Sequence, residues 1–514
     1  MSVSVTRRTA LVAAAATGAA TLVPTPAKAA RSAFAELEAK IKEGMAKYAI
    51  PGVALGLRHR GRDYLRGYGV TSVADPHPVD PDTVFQVAST TKTFTGTALM
   101  RLVERGRLDL NRTVRSYLPD FRTADPAASA RVTVRQVIQH SPGWLGDFLL
   151  DTGTDDGALA RYVAAMSRVP QLTAPGSTFG YNNAALSVAG RLIEVASGRP
   201  YEKAIRDLVT GPLGLRTSGF SPADLPGARI ALPHAPGEDG NPVPYPELFA
   251  VPRSLAPAGG LLSSARDQLR WARFHLGDGK PLLNRHSMHL MQSHPGPGGT
   301  LFVELNGVGI SWMLRPTAEG PLVVQHGGDW SGQHSGFLMV PERDFAITVL
   351  TNSETGPALL AELFADDWAL SRFAGVHNLP AKPRLLPADR LAEYAGTYSF
   401  EQIGFDGETA SVSFDLVPDA GTLLFRAADG STGGRLVFYR RDYVLEQAPD
   451  GEYGTGRDDF VRGADGSVAW FRSGGRLFRR TPPGTAPLAA PRRATPSKLP
   501  TLSTGKALAS IDVS

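Results

Sequence analysis

Ser89-Thr90-Thr91-Lys92 places a hydroxyl and an amine three residues apart, which on a helix is one face. A serine at a helix N-terminus has backbone amides nearby to stabilise an oxyanion. A lysine one turn later can take the serine proton once burial or a neighbouring positive charge lowers the amine from its usual pKa of about 10.4. The spacing alone is weak, because Ser503-Thr504-Gly505-Lys506 repeats it and a serine in such a place is also an ordinary helix cap. Two more stretches carry suitable groups. Tyr181-Asn182-Asn183 follows Pro175-Gly176-Ser177 and precedes an apolar helical run, so it belongs to a loop entering a helix. The tyrosine hydroxyl can relay a proton to a leaving group, and the Asn183 amide can bond a substrate amide; an Asx-type turn with a packed tyrosine is the plainer reading. His326-Gly327-Gly328 ends a strand-like run, and paired glycines there let a ligand approach the backbone, with the Asp329 amide next in line to face a carbonyl. A histidine in that place also serves as a structural residue.

Other chemistries have little to stand on. The chain has no cysteine, which removes disulfides, thiolate metal sites and a cysteine nucleophile. His286, His289 and His294 lack an HExxH pattern, so neither a metal nor another cofactor is expected. There is no GxSxG elbow and no Walker A loop. Lys and Arg number 54 against 49 Asp and Glu, a formal +5 spread along the chain, and this gives nucleic-acid binding no support.

With 514 residues, 42% of them hydrophobic, at least two cores are expected. Val53 to Leu57 and Tyr64 to Tyr68 flank the Arg60-Gly61 turn and read as a hairpin. Phe94, Ala98 and Leu102 recur at helical spacing and predict a buried helix over 89–104. Residues 105–300 read as mostly helical with long loops, Asn183 to Ser197 and Ala265 to Leu276 being the clearest helices. Leu322 to Gln325, Ser335 to Val340 and Phe345 to Leu350 return to strand composition, and Pro357 to Phe373 reads as one closing helix. The strands at the two ends of this segment are expected to share a sheet.

Pro380, Pro383 and Pro387 mark a stiff linker over 376–390. Beyond it Val412, Phe414 and Leu416 alternate with polar residues, and Asp-Gly pairs recur at Asp406, Asp429, Asp450 and Asp465, so 391–482 reads as a small antiparallel β domain. The proline-rich stretch 483–514 reads as a disordered tail. At the other end Arg7 and Arg8 precede the Ala-rich run Leu11 to Val23 and the Ala27-Lys28-Ala29 pattern. Residues 1–29 therefore read as an export leader of the twin-arginine type, cut after Ala29. A secreted or extracytoplasmic protein with no integral membrane segment is expected.

The order SxxK at Ser89, YxN at Tyr181 and His-Gly-Gly at His326, with 92 residues from Ser89 to Tyr181 and 143 from Asn183 to His326, resembles the serine β-lactamase and penicillin-binding protein superfamily. The gaps resemble its class C, D-alanyl-D-alanine carboxypeptidase and esterase branch. His140-Ser141-Pro142-Gly143, Gly211-Pro212-Leu213-Gly214-Leu215 and Ala258-Gly259-Gly260-Leu261 are similar to further stretches of that family. The resemblance covers about 31–375. It implies an α+β fold, an antiparallel sheet flanked by helices with an all-helical lobe, followed by a lipocalin-like β-barrel. It also implies roles: Ser89 as acylated nucleophile, Lys92 as its activating partner and Tyr181 in proton transfer. Asn183 and His326-Gly327-Gly328-Asp329 would bind substrate, the amides of Ser89 and Asp329 forming the oxyanion hole. Where typical members carry Lys-Thr-Gly this chain has His-Gly-Gly, which removes a fixed charge and a hydroxyl that favour a substrate carboxylate. Esters, amides and D-amino-acid peptides, cell-wall peptide among them, are therefore expected ahead of penicillins. A non-hydrolytic penicillin sensor or cell-wall binding module, a β-lactamase and a peptide-cyclising thioesterase are the alternatives.

Overall fold

A computed structural model describes residues 26–245 and 251–483 of the chain. Most of the leader and nearly all of the tail, Ser503 and Lys506 included, lie outside the described residues. The first element is α1 (Pro26–Lys47), a helix the sequence reading does not anticipate. It runs through the expected cleavage point, since small alanines satisfy a signal-peptidase pattern and a helix equally well. Further along, Ala33, Phe34, Leu37 and Ile41 form the apolar stripe that packs on the sheet.

The strands are β1 (Gly52–His59), β2 (Arg62–Gly69), β3 (Gly307–Val308), β4 (Met313–Arg315), β5 (Val323–Gln325), β6 (Gly328–Trp330), β7 (Gln333–Val340) and β8 (Phe345–Thr351). They form one antiparallel sheet in the order β2-β1-β8-β7-β5-β4-β3, with β6 paired to β7 off that path. The N-terminal hairpin and the late strands thus share a sheet, Val53 lying opposite Thr351. Period-two alternation gives β1 two working faces. Val53, Leu55 and Leu57 join the α1 side, and Ala54 joins the main core on the other. Gly56 lets the helix Ala265–Leu276 lie close, because a Cβ there would sit 3.0 Å from the Ala265 carbonyl oxygen.

The helical lobe is built on α2 (Thr91–Glu104), which is buried from Thr91 through Met100. A helix this rich in threonine stays inside because its hydroxyls find acceptors: Thr93 bonds the Thr90 carbonyl at 2.8 Å and Thr97 the Thr93 carbonyl at 2.9 Å. Phe94 stacks on Trp271 with ring centroids 4.0 Å apart. α3 (Asn183–Ser197) packs beside α2, and α4 (Ala265–Leu276) bridges α2 to the sheet.

Two expectations change. Pro357 to Phe373 is not one helix: Gly356–Leu360 is α-helical, Ala361–Ala365 opens into a wider turn, and Leu370–Ala374 forms another. Asp367 breaks the run at φ +54, and its carboxylate accepts the Asn378 amide at 2.8 Å. The stretch read as a linker is docked. The Arg384 amide bonds the Phe438 carbonyl, the Leu386 amide bonds the Gly421 carbonyl, and a short helix, Ala388–Ala392, crosses the expected boundary at 390.

The C-terminal strands close into an eight-stranded barrel: β9 (Gly396–Ile403), β10 (Thr409–Asp419), β11 (Thr422–Arg426), β12 (Thr432–Arg440), β13 (Tyr443–Gln447), β14 (Tyr453–Arg462), β15 (Val468–Ser473) and β16 (Arg476–Thr481). Each Asp-Gly pair makes a turn with its glycine at positive φ, between +79 and +92. Aromatic rings fill the barrel, Phe414 against Phe425 and Phe460 against Phe471 each with centroids 5.1 Å apart, so the interior is a packed core. The barrel packs on the helical lobe. The Leu149 amide bonds the Ile403 carbonyl, the Ile403 amide bonds the Asp147 carbonyl, and Arg472 reaches the Phe179 carbonyl at 2.6 Å.

Candidate active site

Ser89 lies in the tight turn Ala88–Thr90 that leads into α2, so the α-helix begins at Thr91, two residues after the start the sequence pattern predicts. Ala88, a non-glycine residue, is held at φ +44, a conformation costing about 1–3 kcal/mol. The Val87 carbonyl on one side of it accepts the Ser335 hydroxyl at 2.8 Å, and the Val87 amide bonds the Leu261 carbonyl at 3.0 Å. These bonds fix the turn that presents Ser89.

Lys92 is fully buried. Its Nζ stands 2.9 Å from Ser89 Oγ and donates to the Ala258 carbonyl at 2.7 Å. Burial first, and then the positive charge of Arg476, push the amine well below its ordinary value, with Asp147 opposing. An uncharged amine beside a serine hydroxyl can accept its proton.

Tyr181 is buried with its ring 5.0 Å below Lys92 Nζ. Burial raises its hydroxyl pKa, a hydrogen bond with Ser89 opposing, so it is held as a proton donor. The ring stacks on His140 at 4.9 Å, and the Asn182 amide donates to His140 Nδ1 at 2.8 Å. The two asparagines divide their work. Asn182 caps α3 through the Ala185 amide and bonds Trp144, whereas Asn183 lines the cleft and donates to Asp147 Oδ1 at 2.7 Å. An aspartate thus already holds the amide expected to meet substrate.

β6 supplies the opposite wall. A Cβ on Gly328 would fall 2.6 Å from the Ser89 amide nitrogen and 2.2 Å from the Val87 carbonyl oxygen, so only glycine lets this strand lie against the Ser89 turn. His326 directly follows β5, and its carbonyl accepts the Thr90 hydroxyl at 2.9 Å. Burial, helped by Lys92, pushes its imidazole down to about 3. Asp329 follows with its carboxylate 2.9 Å from His334 Nδ1. Ser89, Tyr181, Asn183 and residues 326–329 all line one cleft of about 720 Å3, and Lys92 joins it through Ser89.

Two residues of this cleft escape the sequence reading. Arg476, the first residue of β16, enters from the barrel with its guanidinium 4.8 Å above the Tyr181 ring. It bonds Asp147 Oδ2 through Nε at 3.0 Å and the Gly474 carbonyl through Nη1 at 2.9 Å. Burial works to lower its pKa, but Asp147 and Tyr181 outweigh it and the net shift is upward. The Tyr181 amide donates to the Gly475 carbonyl at 2.8 Å, so the β15–β16 turn is bonded to the site at its centre. Ser473-Gly474-Gly475-Arg476 signals a tight turn, yet nothing local says what that turn packs on.

Comparison with known proteins agrees with this geometry. The β-lactamase family profile matches residues 37–369. Penicillin-binding protein 4 of Amycolatopsis lactamdurans is 34% identical over 365 residues, covering 69% of this chain and 94% of that protein. Esterase EstB of Burkholderia gladioli is 34% identical over 277 residues, 47% of this chain and 69% of its own. A crystal structure of SurE with D-Leu superposes with a TM-score of 0.68 at 28% identity, covering 88% of this chain and all of that one. The chain belongs to the β-lactamase family of serine hydrolases, with a closed C-terminal β-barrel added to that fold.

Proposed function

We propose that the protein is an exported serine hydrolase that forms an acyl-enzyme on Ser89, with peptides ending in a D-amino acid as its substrate class and simple esters as accessible surrogates. The observation that carries this reading is the buried Lys92 amine 2.9 Å from Ser89 Oγ. Uncharged, Lys92 takes the Ser89 proton as Oγ attacks the carbonyl carbon, and the amides of Ser89 and Asp329 receive the oxyanion, each worth about 3 kcal/mol. The proton then passes by way of the Tyr181 hydroxyl to the leaving nitrogen or oxygen, which departs as the C–N or C–O bond breaks. Water repeats these steps in reverse order, freeing the acid and restoring Ser89.

Two features favour a D-residue with a free carboxylate as the leaving group. Arg476 brings to the cleft the fixed charge that His326 does not, and an arginine fork suits a carboxylate. The structural neighbour named above was crystallised with D-Leu. Export rests on Arg7, Arg8 and the Ala-rich run that follows; no helix among the described residues is long and apolar enough to cross a membrane.

The test incubates the mature protein with a peptide ending in D-alanine, with its C-terminal amide and with the L-isomer. Intact mass should show an acyl adduct on the parent that is absent from Ser89→Ala, and D-alanine should be released fastest from the free acid. Hydrolysis undiminished in Ser89→Ala would overturn the assignment.

A further inference from the structure

His326 lines the Ser89 cleft, and its ring is held as an acceptor. Its Nδ1 lies 2.7 Å from the Gly327 carbonyl oxygen, which has only lone pairs to offer, so Nδ1 carries the ring proton and Nε2 is a bare lone pair. The residue is 3% exposed, and Nε2 has no hydrogen-bond partner among the described residues. The side chain nevertheless belongs to the wall of the Ser89 cleft, its ring centroid 6.3 Å from that of Tyr181. Lys92 Nζ, whose charge acts on the ring, is engaged by Ser89 Oγ and the Ala258 carbonyl. A buried acceptor left unmet is costly, so its partner is to be sought in a bound ligand.

We propose that His326 is a specificity-determining residue whose Nε2 accepts the N–H of the leaving amine during acylation and, in the same place, the N–H or O–H of the nucleophile that releases the acyl group. The leaving group of one step and the entering nucleophile of the other occupy one position, because deacylation retraces acylation. A protonated lysine at this position could only donate; the histidine inverts the polarity of the contact. The ring keeps its lone pair across the working pH range, since its pKa of about 3 leaves it unprotonated, and so it holds a hydrogen bond without removing the proton. Amides, whose leaving atom carries a hydrogen, are thereby favoured over esters, whose leaving atom does not. This rests on the acyl-enzyme reading above and adds to it the choice between the two substrate classes.

The test uses N-acetyl-D-alanine 4-nitroanilide and the 4-nitrophenyl ester of the same acid, a pair in which any contribution of Arg476 cancels. For both, kcat/KM reports acylation. The anilide-to-ester ratio should fall about tenfold or more in His326→Leu and recover in part in His326→Gln, which restores an acceptor. A ratio in His326→Leu within about twofold of the parent overturns the proposal. A second measurement needs no active variant: imidazole 15N spectra of the full chain, with the His326 signals identified by their loss in His326→Gln. The Nδ1–H tautomer should persist from about pH 5 to about pH 9, and an Nε2–H tautomer or a protonated ring overturns the proposal. An absent acyl adduct on the parent would instead be a failure of the Ser89 reading, and the tautomer result would stand apart from it.

Discussion

Of the basic side chains at the Ser89 cleft, Lys92 and His326 stand on the wall built by the sheet and helices and Arg476 on the wall built by the barrel, and burial leaves them in opposite states. Lys92 is pushed down by burial first and then by Arg476, and His326 by burial first. Burial pulls the same way on Arg476, but Asp147 lies 3.0 Å from its Nε and the balance turns upward. Depth alone therefore does not decide charge; an acid placed beside the base does. One wall offers lone pairs, which proton transfer needs. The other offers a fixed cation, which binding of an anion needs.

The largest test of this division is Lys92→Arg. A guanidinium stays protonated, so kcat/KM on a nitrophenyl ester should fall by about a thousandfold or more; parent-like activity would mean that Lys92 acts through its charge and that the two walls are alike. Arg476→Ala addresses the other wall. Loss of a charged hydrogen bond should reduce kcat/KM about thirtyfold for a peptide with a free terminal carboxylate and much less for its amide. Equal losses for acid and amide would remove the binding role assigned to the barrel. Asp147→Asn strips Arg476 of its counter-ion. A fully enclosed pair broken in this way costs about 3–5 kcal/mol, and because Arg476 keeps 21% of its side-chain surface exposed the expected loss is smaller, about 2 kcal/mol by urea unfolding.

The wall to which the proposal assigns the chemistry is also the wall that could be read from the chain. Ser89, Lys92 and Tyr181 are legible because the nucleophile, base and proton relay proposed for them call for particular residue types, which stand in the short patterns SxxK and YxN. α3 and α4 fall within the residues their apolar periodicity marks, because Asn182 and Ser264 cap them locally. The barrel is legible from its Asp-Gly turns. Arg476 and Asp147 are not, being 329 residues apart and joined only by the packing of one fold on another. The same limit applies to Asn183, whose partner is that aspartate. β3, β4 and β6, two or three residues each, are too short to leave a period.

The smallest expected effect is the one that ties the two walls together. Arg476 lowers the Lys92 pKa and Asp147 raises it. Acylation needs the uncharged amine, so kcat/KM falls as pH drops through the Lys92 value. Arg476→Ala removes the lowering charge, and the acid limb should move to higher pH. Asp147→Asn removes the raising one, and the limb should move to lower pH. Stability follows the same group. Folded Lys92 is deprotonated where the unfolded chain still binds the proton, so between its depressed value and about 10.4 stability rises with pH. Arg476→Ala should narrow that window from its lower end, and Asp147→Asn should widen it. General damage to the site lowers activity in both variants and has no reason to shift the limb in opposite directions. Ester hydrolysis profiled from about pH 5 to about pH 10 therefore separates the two: limbs that stay together, or move the same way, would mean that the barrel's ion pair does not set the charge of the base across the cleft.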